Sequence, residues 1–219
     1  MPGRYHSVSD LPEQIPLFPL PGALLLPRTD LPLNIFEPRY LKMVEEAMTG
    51  DHIVGLIQPD ENDASETPKL EKVGCAGRIT SYVETDEGRL QIVMTGICRF
   101  RLKKEAKVKS PYRQAVVDYQ PFAADLLIDV GAPSVNREQL LEAFRQYLEA
   151  NNMTTNWREV NEVGTELLVN TLSLMAPYPP REKQALLEAP DLKSRAEVLV
   201  ALTELALKRS LAGNTTRMQ

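Results

Sequence analysis

The chain has 219 residues, a formal net charge of −5 and a sequence pI of about 5.3. Nucleic acids and anionic membranes attract basic proteins, so an acidic chain of this kind is not a general binder of either. The length allows one large domain or two small ones, and no apolar run approaches the eighteen or so residues of a membrane span.

The N-terminal segment and the cysteines indicate a cytoplasmic protein. The opening MPGRYHSVSDLPEQ lacks the apolar core of a signal peptide. The two cysteines, Cys75 and Cys98, lie in segments that have the pattern of strands. We therefore expect reduced, buried thiols rather than a disulfide framework.

The stretch IPLFPLPGALLLPRTDLPLNIFEPRY, residues 15–40, combines six prolines with a high apolar content. Because proline fixes φ and has no N–H to donate, it is confined to strand starts, edges and turns. The apolar pieces between the prolines are too short for helices. We predict brief strands with bends at residues 17–18, 23–26 and 33–36, as the corners of a small barrel require.

A helix is predicted directly after this stretch. Pro38 suits its first turn, Glu37 favours the positive end of the helix dipole, and Gly50 closes it. The apolar residues of this helix fall on one face, at spacings of three and four: Leu41, Val44 and Met48.

From His52 to Tyr119 the sequence alternates with the period of two that is typical of strands. Two long strands are predicted on either side of a hairpin turn at Asp86-Glu87-Gly88. The alternation is clearest near the end of the second strand, where apolar and basic side chains face opposite ways: Cys98, Phe100 and Leu102 against Arg99, Arg101 and Lys103.

After Tyr119 the pattern becomes helical. Asn136 with Gln139, and Asn156 with Glu159, form capping-box arrangements, and an apolar stripe follows the second of them. Two further helices are predicted after the prolines at 179–180 and 190. The fold class is therefore α+β, with these segments: a flexible tail at 1–12, a β-rich subdomain at 13–122, a connector at 123–135, a helical subdomain at 136–212 and a flexible tail at 213–219.

Three segments have a distinctive pattern: the proline-spaced opening that ends in IFEPRY, the strand pair GRLQIVMTGICRFRL, and the helical LSLMAPYPPREKQALLEAPDLKSRAEVL. Together they closely resemble the Lon protease N-terminal domain, also called the Lon substrate-binding domain, in its free-standing bacterial form. The resemblance extends over nearly the whole chain. It implies an N-terminal PUA-like β pseudobarrel with one helix, followed by a C-terminal helical bundle subdomain.

The resemblance covers only one part of a Lon protease. The chain has no GxxxxGK[ST] phosphate loop and ends at Gln219, with no room for the family's ATPase and Ser-Lys peptidase domains. We therefore expect a protein that is not an enzyme and needs no cofactor. His6 and His52 have no partner at ligand or triad spacing, and Cys98 lies among apolar residues, so neither a catalytic nor a metal site is predicted.

The basic run from Arg99 to Lys109 supports a nucleic-acid alternative, because PUA-like folds include RNA binders. Its candidate contacts are Arg99, Arg101 and Lys103. The acidic total and the lack of interleaved aromatic residues argue against this alternative. A solvated outer strand face also accounts for the run.

The opening stretch is the stronger candidate surface. Its apolar residues can fill the barrel, but strands broken by proline also leave unpaired backbone groups and apolar side chains at a sheet rim. Such a rim can accept an extended peptide by strand addition. The predicted peptide-binding residues are Phe18, Leu20, Leu33, Phe36, Arg39 and Tyr40.

These observations predict a non-catalytic protein that binds exposed apolar segments of unfolded or apolar-rich polypeptides. A protease or chaperone could act with it in trans, and no membrane partner is expected. Two alternatives remain: a small-ligand sensor that uses the cleft between barrel and helices, and the RNA-binding module.

Overall fold

The computed structural model describes the backbone of residues 5–85 and 88–216 and the side chains up to Arg209. Its contacts divide the chain into two units. The barrel unit comprises the chain up to Ile128 together with Pro177–Leu187, and the helical unit comprises Asp129–Ala176 and the chain from Glu188 onward. The predicted hairpin turn lies outside the described residues except for Gly88, which has the expected positive φ of 69°.

The barrel unit contains a six-stranded mixed sheet in the order β2-β5-β4-β3-β1-β6. An additional pairing of β5 with β6 closes five of the strands into a barrel and leaves β2 attached outside it, along the first half of β5. Among the strand pairs of the described residues, β1 and β3 run parallel and the others run antiparallel. The strands are β1 (Gln14–Pro19), β2 (Asp30–Ile35), β3 (Ile53–Ile57), β4 (Val73–Glu84), β5 (Leu90–Glu105) and β6 (Gln114–Asp118).

Residues 23–26 are not a strand, although the sequence predicts one. Their leucines are nonetheless among the most deeply buried side chains of the chain. The segment precedes the point where the chain joins the sheet: Arg28 and Thr29 hydrogen-bond with Gly96, and β2 begins at Asp30. The segment crosses over the sheet instead, so close to Gly96 that a Cβ there would overlap the carbonyl oxygen of Leu26.

Helix α1 (Pro38–Met48) begins at the predicted proline. Its buried face consists of Tyr40, Met43, Val44 and Ala47. Of the predicted face, only Val44 is fully buried, whereas Leu41 and Met48 are half-buried. The buried face is therefore rotated around the helix axis relative to the predicted one. The prediction rested on Leu41, Val44 and Met48 and omitted Tyr40.

The solvated face predicted for Arg99 is wrong as well. Arg99 is 3% exposed, because a 3-10 helix, Gln120–Leu126, covers this part of the outer sheet face. Its guanidinium forms a two-pronged ion pair with Asp125, at 2.8 Å and 2.9 Å, and lies 4.5 Å from the ring centroid of Phe122. A third hydrogen bond reaches the carbonyl oxygen of Leu187 at 3.0 Å.

Helix α5 (Pro180–Glu188) belongs to the barrel unit apart from its last residue, although the sequence boundaries place it in the helical subdomain. Polar side chains attach it to the barrel strands and loops. Gln184 donates to the carbonyl oxygen of Val73 at 3.1 Å, and Lys183 donates to that of Gly22 at 2.9 Å.

The helical unit contains α2 (Arg137–Ala150), α3 (Trp157–Glu162), α4 (Thr165–Met175) and α6 (Leu192–Thr216). The predicted caps are present, since the side chains of Asn136 and Asn156 accept backbone N–H groups at the starts of α2 and α3. The apolar stripe that suggests one helix up to Met175 is instead divided at Val163 and Gly164, which have extended backbones.

An aromatic cluster joins the first two helices of this unit. The Trp157 ring meets Phe144 edge to face, with centroids 6.5 Å apart. The guanidinium of Arg145 lies 4.8 Å from the Trp157 ring centroid. The cluster fixes α3 against α2.

Residues of both predicted tails have helical backbone. A 3-10 helix forms at Val8–Asp10, Leu11 is buried, and α6 continues to Thr216. Residues 1–4 and 217–219 lie outside the described ranges.

Both cysteines are free and buried, and burial raises the pKa of the Cys98 thiol. None of the helices in the described ranges is both long and apolar enough to cross a membrane. Within the same ranges, no group of three or more His, Cys, Asp or Glu side chains is placed to hold a metal ion.

Candidate functional site

Three of the six predicted peptide-binding residues form a stack. The ring centroids of Phe18 and Tyr40 lie 4.5 Å apart, with an angle of 50° between the ring planes. The guanidinium of Arg39 also contacts the Tyr40 ring, 4.5 Å from its centroid. Phe18 and Tyr40 are buried, whereas the Arg39 side chain is 52% exposed. The stack joins strand β1 to the first turn of α1.

A groove of about 210 Å³ lies against this stack, and Arg39 and Tyr40 line it. The sequence did not predict most of its other lining residues. These come from the ends of strands and from loops: Pro19, Pro21, Pro59, Glu66, Thr67, Pro68, Pro111, Tyr112 and Arg113. The sequence does show prolines next to several predicted strands. However, the residues around each proline do not indicate that these prolines come together in the fold.

Arg113 fixes one wall of the groove. Its Nε donates to Glu105 at 2.7 Å, and its Nη1 donates to the carbonyl oxygen of Pro68 at 2.7 Å. The loop between β3 and β4 is thereby tied to the start of β6, so the prolines of this wall are held in place.

Tyr112, another lining residue, connects the groove to α1. Its hydroxyl donates a short hydrogen bond to the carboxylate of Glu46. Burial and this hydrogen bond raise the pKa of Tyr112 to about 12, and the same hydrogen bond lowers the pKa of Glu46.

The hydroxyl of Tyr40 differs from that of Tyr112. Tyr40 is 7% exposed, yet none of the described residues forms a hydrogen bond with its hydroxyl. Burial raises its pKa and the charge of Glu37 adds to this, whereas the charges of Arg39 and Arg113 act in the opposite direction. The phenol is therefore a protonated donor beside the groove, with two guanidinium groups nearby.

Leu33 and Phe36 belong to a second feature, the outer edge of β2. Leu33 is half-buried in β2, and Phe36 follows the strand directly and is 64% exposed. Leu20 belongs to neither feature: it is half-buried between two groove prolines, and its N–H donates to Ile57. The structure thus places five of the six predicted residues at two features, a groove and a strand edge, which the chain connects through Phe36 and Glu37.

The register of β2 shows which backbone groups are available. The N–H of Gly96 donates to the carbonyl oxygen of Thr29. Because hydrogen-bonded positions alternate along an antiparallel pair, the backbone N–H and C=O groups of Leu31, Leu33 and Ile35 point toward β5. The backbone groups of Asp30, Pro32 and Asn34 then point the other way, outward from the free edge of β2. In the part of the chain that the structure describes, β2 pairs with β5 alone.

The predicted nucleic-acid contacts do not form one surface. Arg99 is buried in its ion pair, whereas Arg101 and Lys103 are exposed. Lys103 also lies 3.4 Å from the carboxylate of Asp118.

Comparison with known proteins shows the family of the chain. The family model described as the ATP-dependent protease La (LON) substrate-binding domain matches residues 14–204. Lon protease 2 of Myxococcus xanthus is 26% identical over 206 residues, which cover 88% of this chain and 24% of that protein. A Lon protease of Desulfosudis oleivorans is 31% identical over 108 residues, which cover 48% of this chain and 13% of that protein. The chain spans about a quarter of the length of the first of these relatives.

Two solved structures have the same fold. A Lon N-terminal domain protein from Xanthomonas campestris has a TM-score of 0.62 at 21% identity, covering 86% of this chain and 97% of that one. The N-terminal domain of a Mycobacterium avium complex Lon protease has a TM-score of 0.65 at 19% identity, covering 87% of this chain and 98% of that one. The α+β fold class and the resemblance seen in the sequence are confirmed. The chain belongs to the family of the ATP-dependent protease La (LON) substrate-binding domain.

Proposed function

We propose that this protein binds exposed apolar segments of polypeptides at the edge of β2 and the adjoining groove, without catalysing a reaction. The family description, a substrate-binding domain of a protease, supports a polypeptide ligand. The side chains that line the groove are those of proline, tyrosine, arginine, glutamate and threonine. They suit contact and hydrogen bonding, and none of them is a cysteine, histidine or serine that could act as a nucleophile or general base with a partner.

The open edge of β2 is the observation that carries the proposal. Asp30 and Asn34 each present an outward N–H and C=O, and Pro32 between them presents a carbonyl alone. An extended peptide could add to this edge as a further strand and satisfy these groups. Pro32 interrupts the row of donors, which limits long edge-to-edge pairing between copies of the chain.

Phe36 supplies apolar contact at the end of that strand. Because the Phe36 side chain is 64% exposed, most of its apolar surface is not packed against the protein. That surface, at the junction of edge and groove, is available for contact with a ligand. Main-chain hydrogen bonds together with one or two apolar contacts give an affinity on the order of micromolar. Such binding would let the protein hold a substrate alone or present it to a protease or chaperone in trans.

The test measures fluorescence anisotropy of labelled, apolar-rich peptides and of a reduced, alkylated polypeptide that cannot fold. Wild-type protein should bind both, and Phe36→Ser should weaken binding by about tenfold, the usual effect of truncating an aromatic anchor. Met175→Ser is the matched control, because Met175 is even more exposed and lies in the helical unit.

Circular dichroism must show that each variant is folded. Equal binding by wild type and Phe36→Ser would remove the edge of β2 from the proposal. Absence of binding by the wild type at high concentration would overturn polypeptide recognition, and the small-ligand alternative would then be tested first. Binding of a labelled RNA oligonucleotide that falls steeply with salt and is weakened by Arg101→Glu would favour the nucleic-acid alternative.

A further inference from the structure

The groove has a polar end that strand addition at β2 does not use. Arg39 and Tyr40, which line the groove, belong to the first turn of α1, and Arg113 lines the same groove. The N-terminal end of an α-helix carries a partial positive charge, and α1 has eleven residues, enough for that charge to develop. The Arg39 guanidinium is therefore the main group that favours an anion here, and the helix start adds to it although the N–H groups of Tyr40 and Leu41 already bond to the carbonyl oxygen of Glu37.

The Tyr40 hydroxyl can donate to a ligand in the groove, because its oxygen is not fully buried although the residue is. A buried polar group normally has a hydrogen-bond partner, and a phenol can donate one hydrogen bond. Tyr40 is more than nine-tenths buried and receives no partner from the described residues. A ligand acceptor in the groove would satisfy it.

Arg39 is available to the same ligand. Its ion pair with Glu37, at 2.8 Å, joins two side chains that are 52% and 43% exposed. Exposed pairs of this kind contribute little to stability, so a ligand carboxylate can compete with Glu37 for the guanidinium. Two acids, Glu37 and Glu66, lie at or near the groove, and they disfavour a ligand with several negative charges.

The apolar part of the groove accommodates one side chain. A cavity of about 150 Å³ holds a benzene ring, and the groove, with a volume of about 210 Å³, is somewhat larger. Its proline walls present flat, apolar rings, which suit an aromatic or long aliphatic side chain. A ligand must therefore carry one apolar group and one carboxylate close together.

We propose that the groove binds the C-terminal residue of a polypeptide, with an apolar side chain between the prolines and the α-carboxylate at Arg39, the Tyr40 hydroxyl and the start of α1. The C-terminal residue carries both groups on one Cα, whereas an internal acidic residue carries a carboxylate without the apolar group. This inference rests on the proposed function, because it names which part of a polypeptide the same face recognises.

The experiment compares three labelled peptides of one sequence that ends in phenylalanine: with a free C-terminal carboxylate, with a C-terminal amide, and with the amide plus an aspartate beside the phenylalanine. The free acid should bind wild-type protein about tenfold more tightly than the amide, since a charge-assisted hydrogen bond is lost. Arg39→Gln should remove most of this preference. Tyr40→Phe, which keeps the ring stack, should reduce it by about threefold.

Arg101→Gln is the matched control, because Arg101 is an exposed arginine of the barrel unit that does not line the groove. Equal binding of free acid and amide would overturn the C-terminal assignment and leave polypeptide recognition intact. Binding of the aspartate amide as tight as that of the free acid would also overturn it, in favour of an internal carboxylate. An unchanged preference in Arg39→Gln would overturn the role of the groove, and absence of binding by all three peptides would overturn both proposals.

Discussion

Residues 23–26 and residues 30–36 are both apolar segments flanked by prolines, yet the first is buried and the second has an open side. The difference lies in how each segment meets β5. The leucines of the first segment insert into the core without forming a strand, and Leu25 lies against Gly77 of β4 and Gly96 of β5. The second segment pairs with residues 90–95 of β5 as β2, and in the described part of the chain its own outer edge stays open. Similar composition therefore serves packing in one segment and, as proposed, recognition in the other.

The largest expected effect concerns the end of the buried segment. Arg28, just beyond it, donates to the carbonyl oxygen of Asp125 at 2.6 Å, and the Asp125 carboxylate pairs with the buried Arg99. Asp125→Asn should lower the free energy of unfolding by about 3–5 kcal/mol, because it leaves a buried guanidinium without its counter-charge. Chemical denaturation measures this loss. The control is Lys103→Gln, which breaks a half-exposed pair and should cost less than about 1 kcal/mol. Equal losses would mean that burial of the Arg99 pair is not what stabilises this region.

The two segments can be compared directly with one kind of substitution. Leu25→Ala removes a side chain that is fully buried beside Gly77 and Gly96, and should cost about 2–5 kcal/mol. Leu33→Ala in β2 should cost clearly less, since Leu33 is half-buried. Thermal and chemical unfolding of both variants decide the point, and a larger loss for Leu33→Ala would reverse the assignment of roles.

The groove adjoining β2 provides a test that depends on pH. The pKa of Tyr112 is raised to about 12 by burial and by its hydrogen bond to Glu46, above the value of about 10 expected when the chain is unfolded. A raised pKa means that the stabilisation is fully present below pH of about 10 and is lost as the pH rises through about 12.

Tyr112→Phe should therefore be less stable than wild type by about 1 kcal/mol at neutral pH, a small value because solvent screens the partly exposed pair. The difference between the two proteins should shrink above pH of about 10. Unfolding curves of wild type and variant at the same series of pH values measure it, and the comparison cancels the other tyrosines. A difference that stays constant up to pH 12 would show that the hydroxyl does not titrate as described.

The smallest expected effect on stability is that of Phe36→Ser. The Phe36 side chain is mostly exposed, so the change in the free energy of unfolding should remain within about 0.5 kcal/mol, although polypeptide binding is expected to fall. Denaturation of the same preparation that is used for binding checks this. A loss above about 1 kcal/mol would mean that Phe36 supports the barrel, and the binding result would then have to be attributed to altered structure.

The sequence predicts those parts of the fold that depend on local rules. Proline positions predict the strand ends and the start of α1, and the asparagine caps predict the starts of α2 and α3. The burial of Arg99 is not predictable in this way. Strand alternation places Arg99 on the outer face, but only the three-dimensional position of residues 120–126 shows that this face is covered.

The candidate site also has a part that the sequence predicts and a part that it does not. Phe18, Arg39 and Tyr40 are close because β1 and the start of α1 are packed together, and all three belong to one recognisable stretch of sequence. Pro59, Pro68 and Pro111 reach the groove from other parts of the chain. No periodic pattern links residues so far apart, so the walls of the groove become visible only in the folded chain.

The aromatic cluster of the helical unit has a practical consequence. Trp157 is the single tryptophan of the chain, and it is packed against Phe144 and Arg145 at the junction of α2 and α3. Its fluorescence emission therefore reports the opening of the helical unit alone, while the barrel unit contributes no indole signal. A shift of that emission at a denaturant concentration where the circular dichroism of the strands is still unchanged would show that the two units unfold as separate cooperative bodies.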